Sequence, residues 1–359
     1  MPGKGKNNSG DSGGTISGNR NKENVLIGTD QDDVILGGTK NDTLRGNDGN
    51  DFLRGGSGND EIYGDAGNDR IFGGSDADLM FGGADNDELF GETGNDSLNG
   101  GDGDDVLIGG YGADSMDGGE GFDIASFEDV NGWVEEFLVT DDGFTYTDYI
   151  YHGITVTSDK LGSYDVSLKL SESVYETEQS VTNIEGIWGS QSDDRITGNN
   201  SGELLAGLYG NDTIDGAGGN DTIYGDGDND DLTGGAGRDV LFGGSGDDKL
   251  TGGADADHFV FVRYADGNPD TDDSGSGDGV DVITDFDLSE DKIFLLGNEG
   301  FKYELSGNDY GFVVLTYDTV GGFYGGPSEI TLDDVFLADV DRDDLAAWIS
   351  VMSIQEFEL

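Results

Sequence analysis

The 359-residue chain has no cysteine, two histidines, and only 17 basic residues against 77 acidic ones. Each shortage removes a class of explanation. Without cysteine there is no disulfide framework of the kind that holds many small secreted domains. With only His152 and His258, no soft donor competes for a metal, and no His-Glu-x-x-His helix can be formed. A Gly-x-Ser-x-Gly nucleophile elbow is missing as well. The scarcity of cations, at a formal charge of −60, excludes nucleic acid as a direct partner, because phosphate binding needs basic patches. No apolar run approaches the ~20 residues of a membrane span. Residues 1–24 lack the hydrophobic segment of a secretory signal peptide.

What is abundant is glycine, 66 residues, and it recurs in phase with acid. A clean unit is Gly55-Gly56-Ser57-Gly58-Asn59-Asp60-Glu61-Ile62-Tyr63, and the next unit begins on the following residue. Eleven such nonads run without a break over 28–126 and eight more over 189–260. Their sixth positions are Asp33, Asp42, Asp51, Asp60, Asp69, Asp78, Asp87, Asp96, Asp105, Asp114 and Asp123, then Asp194, Glu203, Asp212, Asp221, Asp230, Asp239, Asp248 and Asp257. The eighth position is aliphatic in all but two units, Ala125 and Phe259 being the smaller and larger exceptions.

Such a unit divides into a six-residue turn and a three-residue strand. Glycine at positions one, two and four permits positive φ and close backbone approach. Position eight faces inward while seven and nine face out. A single unit cannot bury its one aliphatic side chain, so units must stack, two per coil, with residue i below i+18. The expected fold class is all-β: two parallel β-rolls, which are right-handed solenoids, separated by a small antiparallel β insertion and followed by a mainly β C-terminal domain. The expected division is an unstructured leader over 1–27, the first roll over 28–126, the insertion over 127–188, the second roll over 189–260 and the C-terminal domain over 261–359. Aspartates and carbonyls from turns one coil apart form oxygen cages suited to Ca²⁺, which takes many hard ligands in a flexible arrangement. Counting same-side neighbours gives about nine sites in the first array and about six in the second, about 15 Ca²⁺ ions in all. Gln31, Lys40, Ser192 and Ser201 in place of the fourth-position glycine, with Glu203 for aspartate, mark capping turns at the start of each array. Metal-free, the crowded carboxylates oppose collapse, and calcium is expected to supply the folding free energy.

The nonad Gly-Gly-x-Gly-x-Asp-x-aliphatic-x resembles the repeats-in-toxin (RTX) family of hemolysin-type calcium-binding proteins. The stretches Asp257-His258-Phe259-Val260-Phe261 and Gly277-Asp278-Gly279-Val280-Asp281-Val282-Ile283-Thr284-Asp285-Phe286 resemble the C-terminal region of serralysin-type proteases, without the protease head. The resemblance implies Ca²⁺ at the eighteen position-six aspartates, and a further ion at Asp278, Asp281 and Asp285. It also implies export by type I secretion machinery through a signal in the last ~60 residues, and hence an extracellular location. The 27 residues ahead of the repeats leave no room for a catalytic domain. The function expected is a secreted, non-enzymatic calcium-binding protein acting as a structural, matrix or adhesion component, with polysaccharide or a cell surface as candidate partner. The alternatives are a carbohydrate-binding or carbohydrate-active protein using Trp133, Glu135, Tyr146, Asp148, Tyr149 and Tyr151 of the insertion, or the repeat module of a larger secreted enzyme. One outward face of the first roll, with Val34/Leu36, Phe52, Phe72, Phe90 and Val106/Ile108, reads as an apolar ladder that something should cover.

Overall fold

A computed structural model describes residues 13–127, 183–262, 280–287 and 290–295 in full, and several further strands by their backbone. The chain divides into two units, 1–190 and 191–359.

In the first unit the inward position-eight side chains set the architecture. Ile35, Leu44, Leu53, Ile62, Ile71, Met80, Leu89, Leu107 and Met116 are wholly buried. They stack in two parallel ladders, Leu53 on Ile71 in one sheet and Leu44 on Ile62 in the other, so the repeat distance is 18 residues and two nonads make a coil. One sheet contains Val34–Gly38, Phe52–Ser57, Arg70–Ser75, Glu88–Thr93 and Val106–Ile108; the other contains Thr43–Asp48, Glu61–Ala66, Leu79–Ala84, Ser97–Asp102 and Ser115–Glu120. All neighbours are parallel.

Most of these strands span six residues rather than three. The alternation does not stop at position nine, because the position-one glycine is the next inward residue: in Phe52–Ser57 both Leu53 and Gly55 are buried. Position one therefore owes its glycine to close approach, since its φ is not in the left-handed region. Position two does need that region. Gly74 has φ of 121°, and a Cβ there would sit 2.0 Å from the Gly56 carbonyl oxygen.

The first roll extends beyond its repeats at both ends. Residues 13–27, expected within the unstructured leader, form an additional coil: Ile16 stacks on Ile35 and Leu26 on Leu44, both inward and buried. The N-terminal boundary was obscured because Asn24 stands at the position-six place and the block before it has lost its glycine pattern. At the other end, 180–182 pairs with 115–117 and Gly186–Trp188 with Ile124–Ser126. Residues 180–188, expected as the end of the insertion over 127–188, are thus a coil of the first roll. Between them the chain makes antiparallel strands as expected: Glu135–Asp141 with Phe144–Ile150, Ile154–Ser158 with Tyr164–Ser171, and that strand with Val174–Thr182. The aromatic and acidic side chains proposed there as a sugar site lie outside the described side chains.

The second unit follows the same logic. Ile196, Leu205, Ile214, Ile223, Leu232, Leu241, Leu250 and Phe259 are wholly buried and stack at 18-residue spacing. The nine-residue period ends at Val260, yet the roll does not. Ile283 continues the ladder below Leu250, Ile293 continues it below Phe259, and Leu332 and Ile349 follow. Strands Ser328–Phe336 and Ile349–Met352 lie in the C-terminal region expected to be mainly β.

The apolar ladder on the first roll is present and is not buried to core level. Val34 and Leu36 are exposed, and Phe52, Phe72, Phe90 and Ile108 are half-buried. Their partial shelter comes from one another. Phe72 stacks on Phe90 at 4.5 Å, Phe52 lies 5.3 Å from Phe72, and Arg70 reaches over both Phe72 and Phe90.

Candidate metal sites

Every position-six aspartate enters a turn with its side chain directed inward, and all eighteen are buried. The geometry repeats coil after coil. One carboxylate oxygen accepts the backbone N–H of the aspartate one coil earlier: Asp60 N donates to Asp78 Oδ1 at 2.7 Å, Asp69 N to Asp87 Oδ1 at 2.8 Å, and Asp87 N to Asp105 Oδ1 at 2.8 Å. The second unit repeats this, with Asp212 N on Asp230 Oδ1 at 2.8 Å. Each such aspartate is both donor and acceptor in a chain that runs along the roll axis.

In thirteen of the eighteen the second oxygen has no protein partner. Oδ2 of Asp42, Asp51, Asp60, Asp69, Asp78, Asp87, Asp96, Asp105 and Asp123, and of Asp212, Asp221, Asp230 and Asp239, is buried and unsatisfied. A buried carboxylate oxygen without a donor costs several kcal/mol of desolvation unless something answers it. Its surroundings show where that something belongs. A Cβ placed on Gly64 would lie 2.2 Å from Asp69 Oδ2 and 2.6 Å from the Gly82 carbonyl oxygen. On Gly82 it would lie 2.3 Å from Asp87 Oδ2 and 2.6 Å from the Gly100 oxygen. Gly55, Gly73, Gly91, Gly100, Gly207, Gly216, Gly225 and Gly234 repeat the arrangement, each in a turn of its own. The missing side chain at position one leaves a cradle flanked by a carboxylate and by a carbonyl from the next coil. Among the described residues no three acidic or histidine side chains converge, so carbonyls must supply much of any coordination shell. Such a donor set, oxygen only and largely main chain, fits Ca²⁺.

Electrostatics gives the same answer by another route. Burial pushes the carboxyls of Asp60 and Asp69 up to about 7 and those of Asp78 and Asp87 up to about 8, only partly offset by the backbone N–H each accepts. In the second unit burial takes Asp212 to about 9 and Asp230 to about 8. Neighbouring acids along the ladder add to the rise. The metal-free fold therefore disfavours the ionised form of these aspartates, and stability requires that protons or cations arrive.

At three places outside the regular turns the cradle is closed by the protein itself. Asp33 Oδ2 accepts the Thr29 N–H at 2.7 Å, Glu203 accepts the Asn199 N–H, and Asp291 Oδ2 accepts the Asp287 N–H at 2.7 Å. Asp33 and Glu203 are among the turns read from sequence as caps. Asp42, in the same group because of Lys40, keeps an unanswered Oδ2 like the interior turns. Three residues in ladder positions escaped the sequence reading. Asn24 hydrogen-bonds Asp42 Oδ1 through its own N–H, Glu185 accepts the Asp123 N–H at 2.9 Å, and Asp291 accepts the Asp257 N–H at 2.9 Å. None lies within a glycine-rich unit, and of the three only Asn24 keeps the 18-residue spacing, in a block without glycine and with a carboxamide in place of the acid. Of the set Asp278, Asp281 and Asp285, the first lies outside the described residues. Asp281 is buried and accepts the Asp248 N–H, whereas Asp285 spends both oxygens on the N–H groups of Gly252 and Gly253.

The model of the RTX calcium-binding nonapeptide repeat matches residues 27–62, 54–89, 90–125, 197–232 and 224–259. Both arrays are RTX calcium-binding repeats. Several solved structures match parts of the chain. The extracellular lipase LipA from Serratia marcescens is 21% identical over 80% of this chain and 40% of its own, with a TM-score of 0.28. This chain thus spans about two-fifths of the lipase's length. Two subunits of the Azotobacter vinelandii mannuronan C5-epimerase, R2 and R3, are 25% and 28% identical. They cover 48% and 45% of this chain and 94% and 78% of their own, with TM-scores of 0.28 and 0.26. No curated protein matches the chain. Among the described residues, no helix is long and apolar enough to cross a membrane.

Proposed function

We propose that this RTX protein is a secreted, non-enzymatic scaffold that folds when it meets extracellular calcium and then serves as a matrix, surface-layer or adhesion component. The observation that carries the reading is the unanswered Oδ2 of the ladder aspartates, each facing a glycine cradle. The position-six aspartates, with carbonyls such as Gly82 O and Gly100 O, would hold the ions. Calcium bound there would supply the positive charge that lets adjacent carboxylates stay ionised inside the roll. About 15 ions, two charges each, would halve the formal charge of −60. Extracellular calcium modules work at ~10⁻⁴ to 10⁻³ M, a threshold that leaves the chain unfolded in a cytoplasm and folded outside. The absence of cysteine agrees with metal taking the stapling role that disulfides have in other exported domains.

Circular dichroism during calcium titration tests the folding step. Strand signal should appear cooperatively between those concentrations and vanish on chelation; a roll fully folded in excess chelator would overturn the proposal. A screen for polysaccharide binding and hydrolysis tests the rest, and turnover of any glycan would refute the non-enzymatic role.

A further inference from the structure

The first roll is interrupted after Phe127 and resumes at 180, so its last coil is assembled from segments distant in sequence. The two turn edges of the roll meet this interruption differently. On the edge carrying Asp42, Asp60, Asp78, Asp96 and Asp114, the three atoms nearest to a Cβ on Gly109 all belong to Asp114, with no carbonyl from a following coil among them. On the edge carrying Asp69, Asp87, Asp105 and Asp123 the ladder goes on. Asp123 N donates to Glu185 Oε2 at 2.9 Å, as Asp105 N does to Asp123 Oδ1 at 2.9 Å. Glu185 N and Gly186 N donate back to the Asp123 carbonyl at 3.0 Å.

The cradle is reproduced across the splice. A Cβ on Gly118 would lie 2.2 Å from the Asn183 carbonyl oxygen and 2.6 Å from Asp123 Oδ2. In the repeats the corresponding oxygen comes from the position-one glycine one coil on; here it comes from a residue outside any nonad. Asp123 is fully buried and its Oδ2 has no partner. Asn183 is fixed in place, its side-chain amide donating to Asp117 Oδ1 at 2.7 Å.

We propose that a cation of the calcium class binds at this splice, held by Asp123 Oδ2 and the Asn183 carbonyl with Glu185 as the ladder acid, and that it fastens the returning end of the 128–179 segment to the roll. The inference rests on the calcium reading of the repeats and adds a site of which the last nonad of the first array encodes one half and residues 183–185 the other. Its consequence is that the coil at 180–188 is held firmly on the roll only when the ion is bound.

The test uses the full chain in buffer with calcium chloride alone. Asp123→Asn and Glu185→Gln keep size and hydrogen-bonding oxygen but remove charge; Gly118→Ala fills the cradle. Equilibrium dialysis should show one ion fewer for Asp123→Asn and Gly118→Ala. Hydrogen exchange should show the calcium midpoint for amides 180–188 raised about 10- to 100-fold in all three variants, with amides 52–105 unchanged. Gly64→Ala, inside the repeats, serves as the reference. If it loses an ion while the splice variants lose none and keep 180–188 protected, the splice site is refuted and the repeat reading stands. If Gly64→Ala also loses none, the repeat reading has failed. Loss of protection in 180–188 with no change in ion count would mark Asp123 and Glu185 as hydrogen-bonding residues only, and would likewise refute the site.

Discussion

Replacing one ladder aspartate by asparagine should change stability with opposite sign in the presence and absence of calcium. Asp87 is the best position, being central and flanked by Asp69 and Asp105 one coil away on either side. Asparagine retains an oxygen to accept the Asp69 N–H and loses the charge. In the metal-free roll that charge is a liability. Burial raises the Asp87 carboxyl from 3.8 to about 8. A carboxyl whose folded value is raised contributes stability that is present below the unfolded value and lost as pH rises through the folded one. At neutral pH the gap amounts to a ceiling of about 4 kcal/mol at 1.36 kcal/mol per unit. Because the ladder aspartates titrate as a coupled set, the single substitution should recover about 1–2 kcal/mol of it. With calcium the sign reverses, since one site loses its charged ligand. A site at 100-fold excess of ion over its dissociation constant contributes about 2.7 kcal/mol. The assay is paired: trimethylamine-N-oxide-induced folding in chelator, followed by circular dichroism, and urea unfolding in saturating calcium. D87N should fold at lower osmolyte and unfold at lower urea. A variant destabilised in both would show that Asp87 acts as a hydrogen-bonding residue alone and would refute the cation-cage reasoning.

The same linkage makes acid a partial substitute for calcium: in chelator, strand signal should rise as pH falls from about 8 toward 4, through the raised values of Asp60, Asp78 and Asp87, and a signal that falls instead would contradict the burial of those carboxyls. Gly74→Ala should cost more than a propensity penalty, because φ of 121° and a carbonyl at 2.0 Å both oppose a Cβ; a calcium midpoint within twofold of the parent would argue against the turn geometry. Leu89→Ala, in the middle of the core, should lower stability in calcium by about 2–5 kcal/mol by urea unfolding, whereas the exposed Leu36→Ala should change it by under about 0.5 kcal/mol.

The coil was legible in sequence because its causes are local. An inward aliphatic every nine residues and a glycine wherever a Cβ would strike carbonyl or carboxylate leave little choice of fold, and Leu53 on Ile71 at 18-residue spacing follows. The aspartates were legible for the same reason. What the period could not show lies where contacts are no longer spaced by 18. Asn183 and Glu185 reach the roll from 62 or more positions along the chain. Asp281 and Asp291 reach it from 33 and 34 positions. These residues have ladder geometry without ladder spacing, so no periodic reading identifies them. Of the two reasons for glycine at the first position, positive φ and close approach, only close approach operates: a Cβ there would strike the unit's own aspartate.

The interruption after Phe127 has a consequence for how such a molecule can change over generations. The strands of each coil pair only with those of the coils above and below, and the coil at 180–188 closes on 115–126 with ordinary register although the connection between them is long. A turn edge of this roll therefore works as a socket: a sequence of any length can be plugged in there, provided its returning end offers one buried aliphatic side chain and one oxygen to the edge. Ile187 and Asn183 meet those two demands in this chain. New appendages could be acquired by grafting at such edges, leaving the frame that carries them unchanged.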